Sequence, residues 1–156
     1  MSTRLDAGIE IGADVDRVWQ VLVDWVGQAR WIPLTTLRVL SEHDQGLGVR
    51  IAALSGFWLG RLPIGLLDTF VVTGWSPPRQ GEAELEILHR GPYFTGEGVF
   101  HLHQDDGVTR VSCTELITVP GGSPVNRLVG LTLPVMRWGF QLSLRRLRNV
   151  CEGQLP

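Results

Sequence analysis

The stretch Ser123–Cys151, SPVNRLVGLTLPVMRWGFQLSLRRLRNVC, decides how the rest of the chain is read. Ser123 can accept the first free backbone N–H groups, and Pro124 falls at the first helical position, where its fixed φ suits the helix and no donor is needed. A long helix is therefore predicted here. Apolar residues recur three or four apart (Val125, Leu128, Val129, Thr132, Val135, Met136, Gly139, Leu142), while Arg127, Arg137, Arg145, Arg146 and Arg148 fall mostly off that stripe. The stripe is expected to be buried. Leu131, Leu133, Trp138 and Phe140 lie outside it, so the first half is apolar nearly all round. Gly130 and Pro134 cost roughly 1 and 3 kcal/mol in a helix interior, which predicts a kink near them, offset by packing.

Working outward, a chain of 156 residues is long enough for one well-filled core, and no linker or repeat divides it, so residues 1–156 are expected to form a single domain. A formal charge of −2, with acids and arginines interspersed, gives no footprint for nucleic acid. All 14 basic residues are Arg, in no pairing pattern that suggests a role. Cys113 and Cys151 are too far apart for a metal or redox spacing, and no signal peptide opens the sequence. A reduced, cytoplasmic protein is expected. The apolar runs Leu62–Leu67 and Leu128–Met136 fall short of the roughly 20 residues of a membrane span, so integral membrane insertion is not expected.

Upstream, Arg4–Gly12 alternates, with Leu5, Ala7, Ile9 and Ile11 on one face, and reads as a half-buried strand. A helix then begins at Ala13 or Asp14, with Val15, Val18, Trp19, Leu22 and Val23 as its apolar face, and a short helical turn follows around Gln28–Trp31. From Leu34 to Pro120 the pattern is β. Six strands are predicted, with cores Thr36–Ser41, Gly48–Leu54, Leu66–Gly74, Glu82–His89, Gly98–Gln104 and Thr109–Thr118. The order is β-α-α-β6-α, an α+β protein.

This order, with IEIGADVDRVW at Ile9–Trp19, WSPPR at Trp75–Arg79, GEGVFHL at Gly96–Leu102 and GVTRVSCTE at Gly107–Glu115, resembles the polyketide cyclase/dehydrase and START-like lipid-transfer superfamily (SRPBCC). The resemblance covers nearly the whole chain. It implies a helix-grip fold, a curved seven-stranded antiparallel sheet wrapped around the long C-terminal helix, with an elongated apolar cavity between them. The superfamily includes carriers, cyclases, dehydratases and receptors, so the fold leaves the activity open.

Turn positions suggest which side chains face such a cavity. A two-residue turn at Asp106–Gly107 sets Leu102 opposite Val111 and Phe100 opposite Cys113, pointing inward. His101 and His103 then point outward, opposite Ser112 and Arg110, and a metal there is not expected for want of a third ligand on that face. On the preceding strand Leu85, Ile87 and His89 are in phase. A register that matches Phe70 with Ile87 brings Asp68 near His89.

A carboxylate beside an imidazole can fix its tautomer and raise its basicity, giving a general base for a proton α to a carbonyl. Glu115, in phase with Val111 and Cys113, adds a second acid near the cavity rim. His89, Asp68 and Glu115 are thus the catalytic candidates, against the alternative that they merely satisfy one another or backbone groups. Cys113 reads as inert core and not as a nucleophile. Tyr93, in the Gly91–Gly98 loop, is a candidate to bond a ligand carbonyl. The segment Gly56–Leu67 is apolar for a hairpin loop, making Phe57, Trp58, Leu62, Pro63 and Ile64 candidates for the cavity mouth.

The expected lining is Ile9, Ile51, Phe70, Ile87, Tyr93, Phe100, Val111, Cys113, Val135 and Leu142. A lining this apolar points first to binding of a hydrophobic small molecule of lipid, polyketide or isoprenoid type. The alternatives are a cofactor-independent cyclase or dehydratase with His89 as base, and an interaction or dimerisation module that could make the protein a homodimer. No cofactor is expected: Gly46–Gly48 and Gly96–Gly98 lack the strand-to-helix context and the Lys of phosphate-binding loops, and no serine nucleophile elbow or zinc helix occurs.

Overall fold

A computed structural model describes residues 2–59, 62–121 and 123–154; for residues 57–59, 62–63 and 123–132 it describes the backbone alone. Seven strands form one antiparallel sheet in the order β1-β7-β6-β5-β4-β3-β2. They are β1 (Ser2–Ile11), β2 (Thr35–Val39), β3 (Arg50–Leu59), β4 (Leu62–Arg79), β5 (Glu82–Pro92), β6 (Thr95–Asp105) and β7 (Val108–Thr118). Between β1 and β2 run helix α1 (Val15–Leu22) and a 3₁₀ turn (Val26–Arg30), and α2 (Ser123–Cys151) closes the chain. This is the expected β-α-α-β6-α order, except that the second short helix is 3₁₀ and begins earlier than Gln28. Among the described residues no helix is long and apolar enough to cross a membrane.

Local chemistry fixes the element ends. Asp14 caps α1, its Oδ1 accepting from the Arg17 N–H at 2.7 Å. Gln80–Gly81 and Asp106–Gly107 all have φ between 46° and 83°, and such residue pairs make the tight turns whose twist matches that of the flanking strands. The second turn sets Leu102 opposite Val111 and Phe100 opposite Cys113, as the sequence indicated.

Two expectations about the strands are corrected. Phe70 faces His89, not Ile87, which lies opposite Val72. The reason is a set of register irregularities in β4, between Asp68 and Phe70, Val72 and Gly74, and Ser76 and Arg79, which a uniform alternation does not contain. The second concerns Gly56–Leu67, which is mostly strand and not loop: Phe57 pairs with Ile64, Trp58 with Pro63 and Leu59 with Leu62. Gly56 faces Gly65, and a Cβ on Gly56 would lie 2.9 Å from the Ile64 carbonyl oxygen, so the bare glycine lets these strands approach.

The core gathers the inward face of the sheet, α1, the 3₁₀ turn and the C-terminal half of α2. Ile11, Val18, Val49, Ile51, Leu102, Val111, Leu144 and Leu147 are fully buried, and Trp19 packs edge-on against Trp75 at 5.0 Å. Helix α2 packs against β1, α1 and the 3₁₀ turn. Its backbone is helical throughout, Pro134 included.

Over the part of α2 whose side chains are described, the buried face differs from the expected stripe, of which Val125, Leu128, Val129 and Thr132 have side chains outside the described residues. Ser143, Leu144, Leu147 and Cys151 are buried, with Phe140 packed against the core, whereas Val135 is 69% exposed and Leu142 half-buried. Trp138 also faces out, at 66% exposed. An all-round apolar first half leaves the helix's rotation undetermined; the spacing 140, 143, 144, 147, 151, bracketed by Arg145, Arg146 and Arg148, is what sets it.

Candidate functional site

Between the sheet and the helices lies a partly open cavity of about 210 Å³. Aromatic rings make up much of its wall: Trp25 and Trp31 flank the 3₁₀ turn, Phe70 comes from β4, Phe94 from the β5–β6 connection, Phe100 from β6 and Phe140 from α2. Ile32, Leu37, Ala53, Leu66, Leu85 and Ile87 add aliphatic surface. The polar side chains on the wall are Gln28, Thr35, Ser55, Asp68, His89, Glu115 and Ser143.

Most of these polar groups are partnered within the protein. Gln28 Nε2 donates to the Leu22 carbonyl at 2.7 Å, the Thr35 and Ser55 hydroxyls bond each other at 2.7 Å, and Ser143 donates to the Gly139 carbonyl at 3.0 Å. Two buried side-chain atoms among the described residues have no hydrogen-bond partner, Asp68 Oδ1 and Trp31 Nε1. Both belong to residues of this wall.

At one end Asp68, His89 and Glu115 form a linear cluster. His89 Nδ1 lies 2.6 Å from Asp68 Oδ2 and its Nε2 lies 3.1 Å from Glu115 Oε2, with all three side chains only 11–13% exposed. Burial acts against the imidazolium, but the hydrogen bonds to Asp68 and Glu115, together with their charges, outweigh it and push the His89 pKa up to about 9. At neutral pH the ring is charged and donates from both nitrogens. Phe70 and Phe94 flank it, with ring centres 5.7 and 5.3 Å away.

Glycine makes room for this cluster. Gly98 sits opposite Glu115, and a Cβ there would lie 2.7 Å from Glu115 Oε1, so the carboxylate reaches His89 by lying across a bare strand position. The Cys113 thiol, almost wholly buried, is 4.0 Å from the same Oε1. Burial first, then the charges of Glu115 and Asp6, push its pKa far above the usual thiol range, as befits an unreactive core cysteine.

The structure brings together His89, Asp68, Glu115, Phe70, Ile87 and Phe100 on the cavity wall. Other expected lining residues lie elsewhere. Ile51, Val111 and Cys113 are core residues behind the wall, Ile9 is half-buried against the core, Tyr93 is 54% exposed, and Val135 and Leu142 fall off the inward face of α2. Of the mouth candidates, Ile64 is exposed and does not line the cavity; the side chains of Phe57, Trp58, Leu62 and Pro63 lie outside the described residues.

Sequence reasoning missed Trp25, Gln28, Trp31, Phe94, Phe140 and Ser143. The usable signal was the pair of tryptophans on either side of a short helical turn shortly before Pro33, since rings that large seldom serve only as surface. Phe94, beside Tyr93, is the inward member of that pair.

On the outer face His101 and His103 do have acidic neighbours: Glu84 pairs with His101 and Glu82 with His103 across the strands. Glu82 contacts both rings, and Glu84 lies 3.6 Å from His101. No group of three or more His, Cys, Asp or Glu among the described residues is arranged to hold a metal ion.

No protein-family model and no curated protein matches the sequence. Solved structures do match the fold along nearly the whole chain. TTHA0849 from Thermus thermophilus superposes with a TM-score of 0.73 at 16% identity, covering 97% of this chain and 98% of that one. The Zhui aromatase/cyclase from Streptomyces sp. R1128 gives 0.68 at 15% identity, covering 97% and 94%. Ara h 8.0201 gives 0.68 at 8% identity, covering 99% and 100%. At such identities the likeness speaks for architecture alone, and the chain has the helix-grip fold: a curved seven-stranded antiparallel sheet closed by a C-terminal helix.

Proposed function

We propose that this protein binds a hydrophobic small molecule, of lipid, polyketide or isoprenoid type, in the cavity between sheet and helices. The observation that carries this reading is the partly open, aromatic-walled cavity of about 210 Å³. A cavity of roughly 150 Å³ lined by apolar side chains already stays dry and takes up benzene. Filling so large a void with apolar ligand returns dispersion contacts that the wall otherwise lacks. The shared fold with an aromatase/cyclase is compatible with this use of the cavity.

The cyclase or dehydratase reading, with His89 as general base oriented by Asp68, draws less support. A base needs a free lone pair within reach of the proton it removes, whereas both His89 nitrogens face carboxylates and the ring is held protonated. His89 is better suited to hold two acids together than to take a proton. A homodimer is a secondary reading, supported by the exposed Val135 and Trp138 on α2; light scattering that shows a monomer at all concentrations would remove it.

The binding reading is tested by uptake of an apolar fluorophore in wild-type protein and in Ala53→Phe, which adds a ring to the cavity wall. The expected result is saturable uptake that the substitution weakens about tenfold or more. No uptake by wild type, or equal uptake by a folded Ala53→Phe, overturns the reading.

A further inference from the structure

Buried polar groups are almost always paired, so each exception asks for an explanation. Among the described residues the two unpaired buried side-chain atoms are Asp68 Oδ1 and Trp31 Nε1, and both residues line the same cavity. They are opposite in kind. A carboxylate oxygen accepts; an indole N–H can only donate. The donors on the wall are directed elsewhere: Gln28 Nε2 to the Leu22 carbonyl, the Ser143 hydroxyl to the Gly139 carbonyl, the Thr35 and Ser55 hydroxyls to each other, and both His89 nitrogens to other carboxylate oxygens. No acceptor of the wall is within hydrogen-bond reach of Trp31 Nε1.

The charge at this end also has a sign. Two carboxylates, Asp68 and Glu115, share a single imidazole, so even with the ring charged one negative charge is left over. Aromatic rings surround it, and their faces attract cations and not anions.

We propose that the ligand of this cavity carries two polar functions on an apolar body, a donor, best a protonated amine, that meets Asp68 and an acceptor such as a carbonyl that meets Trp31, and that carboxylate-headed ligands are rejected. This rests on the reading of the cavity as a binding site, and it narrows the ligand class: free fatty acids are excluded, while amines, ketones and molecules bearing both are favoured.

The test uses four compounds on one bicyclic body, with binding followed by calorimetry: tetralin, aminotetralin, tetralone and tetralin carboxylate. Aminotetralin and tetralone should each bind about tenfold tighter than tetralin, because each supplies a partner to a group otherwise buried without one. The carboxylate should bind more weakly than tetralin. Asp68→Asn should remove the advantage of the amine while keeping that of the ketone, and Trp31→Phe should do the reverse.

The wild-type series alone is decisive if a variant does not fold. Amine and ketone binding no tighter than tetralin, as would follow if water serves both atoms, or a carboxylate binding as well as the amine, overturns the proposal while leaving the cavity a binding site. Failure of all four compounds to bind overturns both.

Discussion

His89 Nδ1 and Asp68 Oδ2 lie 2.6 Å apart although the two residues are not paired across the sheet: His89 faces Phe70, and Asp68 faces Pro92. The irregularity between Asp68 and Phe70 lets the carboxylate reach diagonally to the ring. A regular ladder would place alternate side chains on fixed lines and would not converge them on one nitrogen.

This contact makes stability depend on pH in a definite direction. His89 titrates at about 9 in the folded protein and at roughly 6.5 when unfolded. A raised folded pKa means that the native state binds the proton more tightly. The stabilisation is complete below about pH 6.5 and is lost as pH rises through about 9. Urea unfolding of wild type should lose roughly 1–3 kcal/mol across that window relative to His89→Gln. Imidazole signals followed by NMR should show His89 titrating near 9; a midpoint at the ordinary histidine value would contradict the cluster.

Glycines 96 and 98 should respond differently to alanine. At Gly98 the added Cβ meets the far end of the Glu115 side chain, which can swing away. Gly98→Ala should therefore fold, yet show a lower His89 pKa because Glu115 no longer reaches Nε2. At Gly96 the Cβ would lie 1.8 Å from the Leu116 carbonyl oxygen, and backbone must give way. Gly96→Ala should cost about 1–3 kcal/mol or more by chemical denaturation.

The orientation of α2 is tested by a pair of truncations. Leu144 is fully buried and Val135 is 69% exposed. Leu144→Ala should destabilise by about 2–5 kcal/mol, and Val135→Ala by no more than about 0.5 kcal/mol. Comparable losses at both sites would mean that the helix is turned the other way.

The fold was legible because its signals are local. The Ser123–Pro124 start, the Asp106–Gly107 turn and the alternation in β6 and β7 each act over a few residues, and together they order the elements and pair Phe100 with Cys113. The register of β4 against β5 was not legible, since a bulge moves every later pair and leaves no mark in an alternating pattern.

For the site, strand phase put His89 and Glu115 on the inward face, but Asp68 was placed beside His89 through a Phe70–Ile87 register that the structure replaces with Phe70–His89; the irregularity between Asp68 and Phe70 is what brings the carboxylate to the ring. The distinction between lining the cavity and packing behind it was beyond the sequence. Ile51, Val111 and Cys113 face inward as expected, yet they are covered by neighbours. Which inward residue meets a void depends on how the 3₁₀ turn and α2 seat Trp25, Trp31 and Phe140 across the sheet, a tertiary property that alternation does not encode.

The most direct measurement is native mass spectrometry of freshly purified protein, with organic extraction and identification of whatever is released. A ligand-holding cavity predicts an adduct of a small apolar molecule, either retained from the cell or formed on incubation with apolar ligands, and its reduction in Ala53→Phe. A clean unliganded mass in both the fresh and the incubated protein would contradict it.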